Sequence, residues 1–314
     1  MDNRAKKEFL REFGILFTGN TFLFQQLINR SNGERRIALA DKLNEYKLKR
    51  LEYEFSGFIE QEAEKWRWNK KEYRMEKIVW NFWHQGNEDD IPIVHACMES
   101  VKYNCPKEAT VITITKDNLQ EYIQLPDYIL KKVSNGIISL TQLSDILRMS
   151  LVSERGGCWL DATIFSVRDY SYVFEKSFWS TKREANNIYI PKGKWTGFAF
   201  SASKNSIVPT LMKCLFYEYW KRYDVLIDFF LIDLFLELLY RHVPEVKNII
   251  DENNYNNEGV HKLWQMLPEI FNEKEYNQVT SDTDFFKLSW RVDIPKMMDG
   301  KLTVLGKICE KEER

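Results

Sequence analysis

Between residues 77 and 167, short apolar runs alternate with longer segments of helical periodicity, and this alternation limits the fold more than any other feature. The short runs are rich in β-branched and aromatic residues, which favour extended backbone, so they predict strands. Strands that alternate with helices imply an α/β fold built on a mostly parallel sheet. The predicted strands lie at 77–83, 110–115, 158–161 and 163–167, the last as a continuation or a restart of the third. The predicted helices lie at 92–103, 119–122, 126–133 and 140–154.

The second half of the chain has a less regular pattern. It predicts strands at 188–190 and 197–200, helices at 208–223 and 228–241, and an edge strand or closing segment at 286–290. A chain of 314 residues is long enough for one large domain with an appendage. We therefore place the main α/β domain at 77–314 and a helical appendage at 1–76.

The appendage has a composition of its own. Residues 1–76 contain no proline, and residues 1–77 hold 17 lysines and arginines against 13 acidic residues. Leu43, Tyr46, Leu51 and Phe55 recur at helical spacing, while Asn20 and the stretch 31–33 predict breaks between helices. Two interpretations are open: a helical unit packed on the main domain, or a basic, aromatic surface that docks on an anionic membrane or a lipid-linked acceptor.

The charge balance and the cysteines exclude several classes of protein. The net charge is −1, whereas nucleic-acid-binding proteins usually carry a basic excess. The five cysteines are scattered and form no paired motif, which is typical of a reducing compartment rather than a disulfide framework or a zinc site. No run of about 20 apolar residues and no signal peptide is visible. We expect a cytoplasmic protein that is peripheral to the inner face of the cell membrane.

The densest group of chemically useful residues lies between Ser144 and Thr163. Asp145 and Arg148 are three residues apart on a predicted helix, so they share one face among apolar neighbours. Such a pair is either an ordinary ion pair or a ligand-recognition device, because a buried pair is costly unless it is well satisfied. Asp161 follows a predicted strand, where it either binds a cation that bridges phosphates or caps a turn.

Ligands of open α/β sheets bind beyond the carboxyl ends of the strands. Two predicted strand ends carry polar residues, namely the loop of His84, Gln85 and Gly86 and the position of Asp161. The sequence therefore predicts a ligand site where these two ends meet.

Several spaced motifs occur together in one order: WNFWHQG at 80–86, SDILR at 144–148 and GGCWLDAT at 156–163. In combination they resemble the bacterial capsular-polysaccharide glycosyltransferases of the family-32 type, which are related in motif to the large clostridial glucosylating toxins. The likeness is close over 77–167, weak from 228 to 288, and does not clearly cover 1–76. It implies a GT-A fold, a Rossmann-like sheet that binds a nucleotide sugar, and transfer with retention of anomeric configuration.

The resemblance also implies roles for individual residues. Asp145 and Arg148 would be the catalytic pair that holds the hydroxyls of the donor sugar. Asp161 would belong to the metal-binding Asp-x-Asp motif, although Thr163 stands where the second carboxylate is usual. Gln85 and Ser144 are further residues implied in donor binding. Lys287 or Arg291 would meet the diphosphate, and Trp83, with Phe82 as the alternative, would face the uracil.

The expected cofactor is Mn²⁺ or Mg²⁺, bound by Asp161 and Thr163, with Asp228, Asp233 or Asp293 as a further carboxylate donor. The expected donor is UDP-galactose or UDP-glucose, and the expected acceptor is a lipid-diphosphate-linked sugar of a capsular repeat unit. Two alternatives are a protein-glycosylating enzyme and a non-catalytic scaffold with the same fold. Presence of both Asp161 and Arg148 favours an enzyme over a scaffold.

Overall fold

A computed structural model describes residues 3–69, 74–87, 91–291 and 293–310. The helices are α1 Asn3–Phe13, α2 Ile15–Asn29, α3 Gly33–Trp68, α4 Pro92–Tyr103, α5 Leu119–Tyr122, α6 Asp127–Ser134, α7 Leu140–Arg155, α8 Ile207–Arg222, α9 Leu231–His242, α10 Pro244–Asp251, α11 Lys262–Met266, α12 Glu273–Thr280 and α13 Val304–Ile308. The strands are β1 Ile78–Phe82, β2 Thr110–Ile114, β3 Gly157–Leu160, β4 Ile164–Ser166, β5 Phe178–Ser180, β6 Ala199–Ala202, β7 Phe285–Lys287, β8 Met297–Met298 and β9 Lys301–Leu302.

The central sheet has five strands in the order β2-β1-β3-β6-β5. Strand β1 pairs in parallel with both β2 and β3, with Val79 opposite Cys158 and Trp80 opposite Trp159. Strand β6 runs antiparallel to both β3 and β5, so four of the five strands point the same way. The predicted α/β class is confirmed, and β3 lies at the centre of the sheet with a partner on each side.

Two glycines allow β3 to enter this central position. Gly156 and Gly157 both have positive φ, at 73° and 103°. A Cβ on Gly157 would lie 2.5 Å from the carbonyl oxygen of Ile78, and a Cβ on Gly156 would lie 2.8 Å from the amide nitrogen of Lys204. Because neither contact leaves room for a side chain, glycine is required at both positions. The close approach of these two glycines to Lys204 and Ile78 therefore positions the start of β3.

A second, two-stranded sheet lies at the end of β3. Strand β4 pairs antiparallel with β7, and Ile164 lies opposite Lys287. The segment predicted as a continuation or a restart of β3 is therefore a separate strand, because the chain turns at Asp161, whose carbonyl accepts the Ile164 amide at 2.8 Å. This pairing brings the C-terminal segment next to the carboxyl end of β3.

The N-terminal helices pack onto the α/β part of the chain. The break between α1 and α2 falls at Gly14, which has a φ of 81°, and not at the predicted Asn20. Asn20 stays helical, and its side chain amide donates to the Tyr46 hydroxyl at 3.3 Å. The predicted break at 31–33 is confirmed, since α3 begins at Gly33.

Helix α3 places the predicted apolar face against α8 and α9. Leu51 and Phe55 are fully buried, and the Phe55 ring packs on Tyr219 and Phe235. One continuous hydrophobic cluster includes α1–α3 residues together with strand and helix residues of the α/β part. Across the described residues, no helix combines the length and the apolar character needed to cross a bilayer.

Two predicted elements differ from the structure. Residues 188–190 are not a strand: the Arg183 amide donates to the Gly193 carbonyl at 3.0 Å, which closes 183–193 into a loop. Helix α9 begins at Leu231 rather than at Asp228, because the Asp228 carboxylate accepts the Phe230 amide at 2.7 Å and holds a turn there.

Candidate active site

A cavity of about 870 Å³ opens at the carboxyl ends of β1 and β3. Its walls come from the loop after β1, the N-terminal half of α7, the turn after β3, the loop before β6, the start of α9 and the segment after β7. The residues predicted from the sequence that line it are Phe82, Trp83, His84, Gln85, Ser144, Asp145, Arg148, Asp161, Thr163, Asp233, Lys287 and Arg291. The structure therefore brings together side chains that lie up to 209 positions apart in the sequence.

Helix α7 supplies the floor of the cavity. The Ser139 hydroxyl caps the helix by accepting the Gln142 amide at 3.3 Å. Asp145 and Arg148 are each only 6% exposed, and Arg148 Nη2 lies 3.2 Å from Asp145 Oδ1. Asp145 and Arg148 thus share a helix face, as predicted. They form a buried ion pair that lines the cavity and not a solvated pair on the protein surface.

Arg148 is the centre of a network of contacts. Its Nε donates to the Ser144 carbonyl at 3.2 Å and its Nη2 donates to the Ser144 hydroxyl at 3.1 Å. Nη1 donates to the Gly197 carbonyl, and the guanidinium lies 5.4 Å from the centre of the Trp159 ring. These contacts fix the plane of the guanidinium, so its remaining donor directions are set before any ligand arrives.

Asp161 follows β3 directly and is held at both carboxylate oxygens. Oδ1 accepts the Trp159 indole N–H at 2.9 Å and lies 3.2 Å from Arg148 Nη2. Oδ2 accepts from Lys287 Nζ at 2.7 Å. Its backbone amide donates to the Phe198 carbonyl at 2.9 Å. The carboxylate is therefore part of a charged network with two cations and one indole.

The two carboxylates have opposite electrostatic environments. Burial raises the pKa of Asp145 to about 6, although Arg148 works against the rise. Burial alone would also raise the pKa of Asp161, but the charges of Arg148 and Lys287 outweigh it and hold that pKa below its ordinary value. Asp161 is thus ionised at neutral pH, while Asp145 titrates close to the physiological range.

Thr163 lies on the other side of Lys287. Its hydroxyl is 2.7 Å from Lys287 Nζ, so one ammonium group contacts both residues that were predicted to bind a metal. In the described parts of the chain, no three His, Cys, Asp or Glu side chains are grouped closely enough to hold a metal ion. Mn²⁺ and Mg²⁺ need several oxygen ligands, and here the oxygens of Asp161 already accept N–H groups. The oxygens of Asp161 and Thr163, as they are placed in this structure, do not fit such an ion.

Aromatic rings form one wall of the cavity. Trp83 is largely buried and meets the exposed ring of Trp290 edge-to-face, with the ring centres 6.2 Å apart. Phe82 makes a similar contact with His84 at 6.2 Å. The sequence did not single out Trp290, because a lone tryptophan in an irregular segment has no periodicity that marks it as a ligand contact.

The remaining candidates fall in different places. Gln85 is exposed on the rim of the cavity, and Arg291 lies there with its guanidinium 5.2 Å from the centre of the Trp290 ring. Asp228 and Asp293 do not line the cavity. Asp228 forms an ion pair with Lys47 of α3, so it serves the contact between the appendage and the α/β part.

Asp233 lies in the cavity, but its environment does not suit a metal ligand. Its Oδ1 accepts the indole N–H of Trp195 at 3.1 Å. Burial raises the pKa of this carboxyl to about 7, and the nearby charge of Asp145 adds to the rise. His261 is a further cavity residue that the sequence did not place there; burial, Arg183 and Lys287 lower its pKa to about 4.

The fold and the cavity define an α/β protein with a charged ligand site at the carboxyl ends of neighbouring parallel strands. The family model for capsular polysaccharide synthesis proteins matches residues 28–308, so the chain belongs to that family. The family predicted from the motifs is confirmed, and the match begins well before the predicted domain boundary at 77.

Among solved structures, the chain is similar to one titled PaToxG glycosyltransferase. The two chains share 14% identity over 76% of this chain and 94% of that chain, with a TM-score of 0.37. No curated protein matches this chain.

Proposed function

We propose that the chain is a retaining glycosyltransferase with a GT-A fold that transfers galactose or glucose from a UDP-sugar to a capsular repeat-unit intermediate. The observation that carries this proposal is the buried network of Asp145, Arg148 and Asp161 in the floor of the cavity. Buried charges are expensive, and perturbed carboxylates in a cleft are typical of functional sites. The chain belongs to a family of capsular polysaccharide synthesis proteins, so a sugar is the ligand that we expect at these charges.

Asp145 and Arg148 are the residues that we assign to the donor sugar. A carboxylate accepts hydrogen bonds from sugar hydroxyls and a guanidinium donates to them. The pair can therefore bind one hydroxyl that acts as a donor and another that acts as an acceptor. Gln142 supports this role, because its side chain amide donates to Asp145 Oδ2 at 3.2 Å. Galactose and glucose differ at one hydroxyl, and a cavity side chain near this pair would select between them.

The aromatic wall and the basic residues suit the UDP part of the donor. We place the uracil against Trp83 and Trp290, where stacking of a base on an aromatic ring is worth about 1–3 kcal/mol. Lys287 contacts Asp161 and Arg291 packs on Trp290, and both line the cavity, so we assign them to the diphosphate. Gln85 on the rim is available for the polar edge of the nucleoside.

The transfer itself needs positioning and charge stabilisation more than a protein base. As the bond from the anomeric carbon to the diphosphate breaks, its electron pair leaves with the phosphate oxygen. The acceptor hydroxyl attacks on the same face, and its proton passes to that phosphate oxygen. We therefore assign no general base, and Arg148 and Lys287 stabilise the charge that develops.

A second cavity supports a lipid-linked acceptor. It has a volume of about 930 Å³ and lies between α1–α3 and the segment before α9. Its lining is mostly apolar and includes Phe9, Phe22 and Leu43, and it shares Tyr189, Phe229 and Phe230 with the active-site cavity. The apolar chain of such an acceptor suits the second cavity, and its diphosphate sugar suits the adjoining charged cavity.

The surface of α1 and α2 supports contact with the inner face of the cell membrane. Helix α2 has no charged residue, and Ile15 and Leu16 are 78% and 82% exposed. Leu23 is also exposed. Single exposed apolar side chains are common, but a group of them on one helix is typical of an interaction surface. Exposed Lys6 and Lys7 lie on the preceding helix α1, so this part of the chain offers both apolar side chains for insertion and positive charge for anionic lipids.

The donor assignment is tested by measuring UDP release from UDP-galactose, UDP-glucose and their N-acetyl forms, with a lipid-diphosphate-linked acceptor present. One hexose donor should be turned over, and Arg148→Ala should lower kcat/KM by about 100-fold, while Asp161→Ala abolishes turnover. The matched control is Arg155→Ala, which removes an exposed arginine of the same helix. Unchanged donor kinetics in Arg148→Ala would remove it from the sugar site.

The membrane assignment is tested by co-sedimentation of the full chain with anionic phosphatidylglycerol vesicles. Leu16→Glu should reduce the bound fraction several-fold, because it places a charge in the surface that inserts. Tyr53→Glu is the matched control, since Tyr53 is 88% exposed on α3. Equal sedimentation of wild type and Leu16→Glu would end the membrane proposal without affecting the donor assignment.

A further inference from the structure

Lys287 occupies the place where a divalent cation was expected. Its Nζ lies 2.7 Å from Asp161 Oδ2 and 2.7 Å from Thr163 Oγ1, the two oxygens predicted as metal ligands. The other oxygen of Asp161 accepts from Trp159 and lies 3.2 Å from Arg148. The positive charge next to Asp161 is therefore already supplied by two side chains.

The backbone on both sides of Lys287 is tightly held. Its amide donates to the Val260 carbonyl at 2.8 Å, and the Leu288 amide donates to the Thr163 carbonyl at 2.9 Å. The residue also ends β7, where it is paired with Ile164 of β4. The backbone therefore fixes the origin of this side chain, and the contacts of its ammonium with Asp161 and Thr163 hold the other end.

The ammonium is placed to contact a ligand. An ammonium group has three N–H donors, and across the described residues two of them are used, by Asp161 and Thr163. The Lys287 side chain is 24% exposed and lines the active-site cavity. The centre of the Phe198 ring lies 5.5 Å from Nζ and covers the ammonium from one side. The third donor is thus available to an oxygen in the cavity.

We propose that Lys287, supported by Arg148, takes the place of the divalent cation and binds the diphosphate of the donor, so that transfer proceeds without a metal ion. The inference rests on the proposed function and names how its leaving group is stabilised. Thr163 fits this role better than a second aspartate would, because a hydroxyl orients the ammonium without cancelling its charge.

The reaction step remains balanced without a metal. The bond between the anomeric carbon and the β-phosphate oxygen breaks, and the electron pair stays on that oxygen. A bond forms from the acceptor oxygen to the anomeric carbon, and the acceptor's proton passes to the departing diphosphate. Lys287 donates a hydrogen bond to the phosphate and keeps its own proton, so it returns unchanged for the next turnover.

The first experiment measures UDP binding to the full chain by calorimetry, in EDTA and then in Mn²⁺. We expect the same affinity within about twofold in both, and a loss of about 100-fold in Lys287→Ala that Mn²⁺ does not restore. Lys287→Arg should retain part of the affinity. The matched control is Lys262→Ala, which removes an exposed lysine outside the cavity, and thermal melting checks that Lys287→Ala is folded.

UDP binding that requires Mn²⁺, or that is unchanged in folded Lys287→Ala, would overturn the inference. The second experiment repeats the UDP-release assay in EDTA, where the wild-type rate should stay within about twofold. Release that stops in EDTA and returns with Mn²⁺ would overturn the inference while the glycosyltransferase proposal stands. Metal-independent UDP binding with no turnover of any donor would instead contradict the proposed function and leave the role of Lys287 in UDP binding supported.

Discussion

Asp233 is a carboxylate in the active-site cavity whose ionisation opposes folding, and its replacement by asparagine gives a quantitative test. Burial raises its pKa from 3.8 to about 7. Its Oδ1 accepts the Trp195 indole N–H, which an asparagine oxygen can accept equally well. Asp233→Asn therefore removes the charge and keeps the shape and the hydrogen bond.

The direction in which stability changes with pH follows from the proton that Asp233 binds in the folded state. Between about pH 4 and pH 7 the folded chain holds a proton on Asp233 that the unfolded chain has lost, so rising pH destabilises the folded wild type. Each pKa unit corresponds to about 1.4 kcal/mol, and the rise from 3.8 to about 7 sets an upper limit of about 4 kcal/mol. Because water reaches the cavity, we expect Asp233→Asn to be about 2–4 kcal/mol more stable at pH 8.

Urea denaturation at pH 5, 6, 7 and 8 measures this difference. The advantage of Asp233→Asn should grow with pH up to about 7 and then level off. Asp145 titrates in both proteins, and the repulsion between its charge and that of Asp233 is part of the measured difference. Asp117→Asn is the matched control, because Asp117 lies in an exposed turn. A difference that stays constant with pH, or a variant that is less stable than wild type at pH 8, would refute the reasoning.

Three further substitutions test the network and its surroundings. Arg148→Lys keeps the charge but loses the planar fork that reaches Asp161 and Gly197, so donor kcat/KM should fall about 100-fold in the UDP-release assay; an unchanged value would contradict this role. Gly197→Ala brings a Cβ within 3.3 Å of Arg148 Nη1, and kcat/KM should fall about 10-fold; wild-type kinetics would show that the arginine tolerates the shift. Lys47→Met leaves Asp228 unpaired, so the free energy of unfolding measured in urea should drop by about 1–3 kcal/mol. Adding Asp228→Asn to Lys47→Met should recover part of that loss, and no recovery would show that the pair is not the cause.

The fold class was predictable because the sequence signals for β1, α4, α7 and β3 are local. Hydrophobic periodicity marks the elements, and the glycines before β3 mark the turn. Residues 188–190 show where this fails. Their β-branched and aromatic side chains are typical of a strand, yet Ile188 packs on the cluster of Ala40 and Leu43 from within a loop. Which partner covers an apolar residue is decided by tertiary packing.

The candidate site was predictable in part for a similar reason. Asp145 and Arg148 share a helix face, so their contact follows from spacing alone. The contact of Lys287 with Asp161 spans 126 positions and depends on the pairing of β4 with β7, which no local pattern specifies. Trp290 reaches the cavity through the same pairing, so its position also depends on a contact between distant segments.

The hydrophobic core that α3 shares with α8 and α9 limits how the N-terminal helices of this protein can change. Phe55 packs on Tyr219 and Phe235, so helices α1–α3 cannot be replaced by those of a related chain without disturbing this core. A chimera that receives foreign N-terminal helices would also need matching faces on α8 and α9. Under the proposed function, new acceptor preferences would arise by substitutions in the second cavity and on the exposed face of α2, while the packing of α3 on α8 and α9 is preserved.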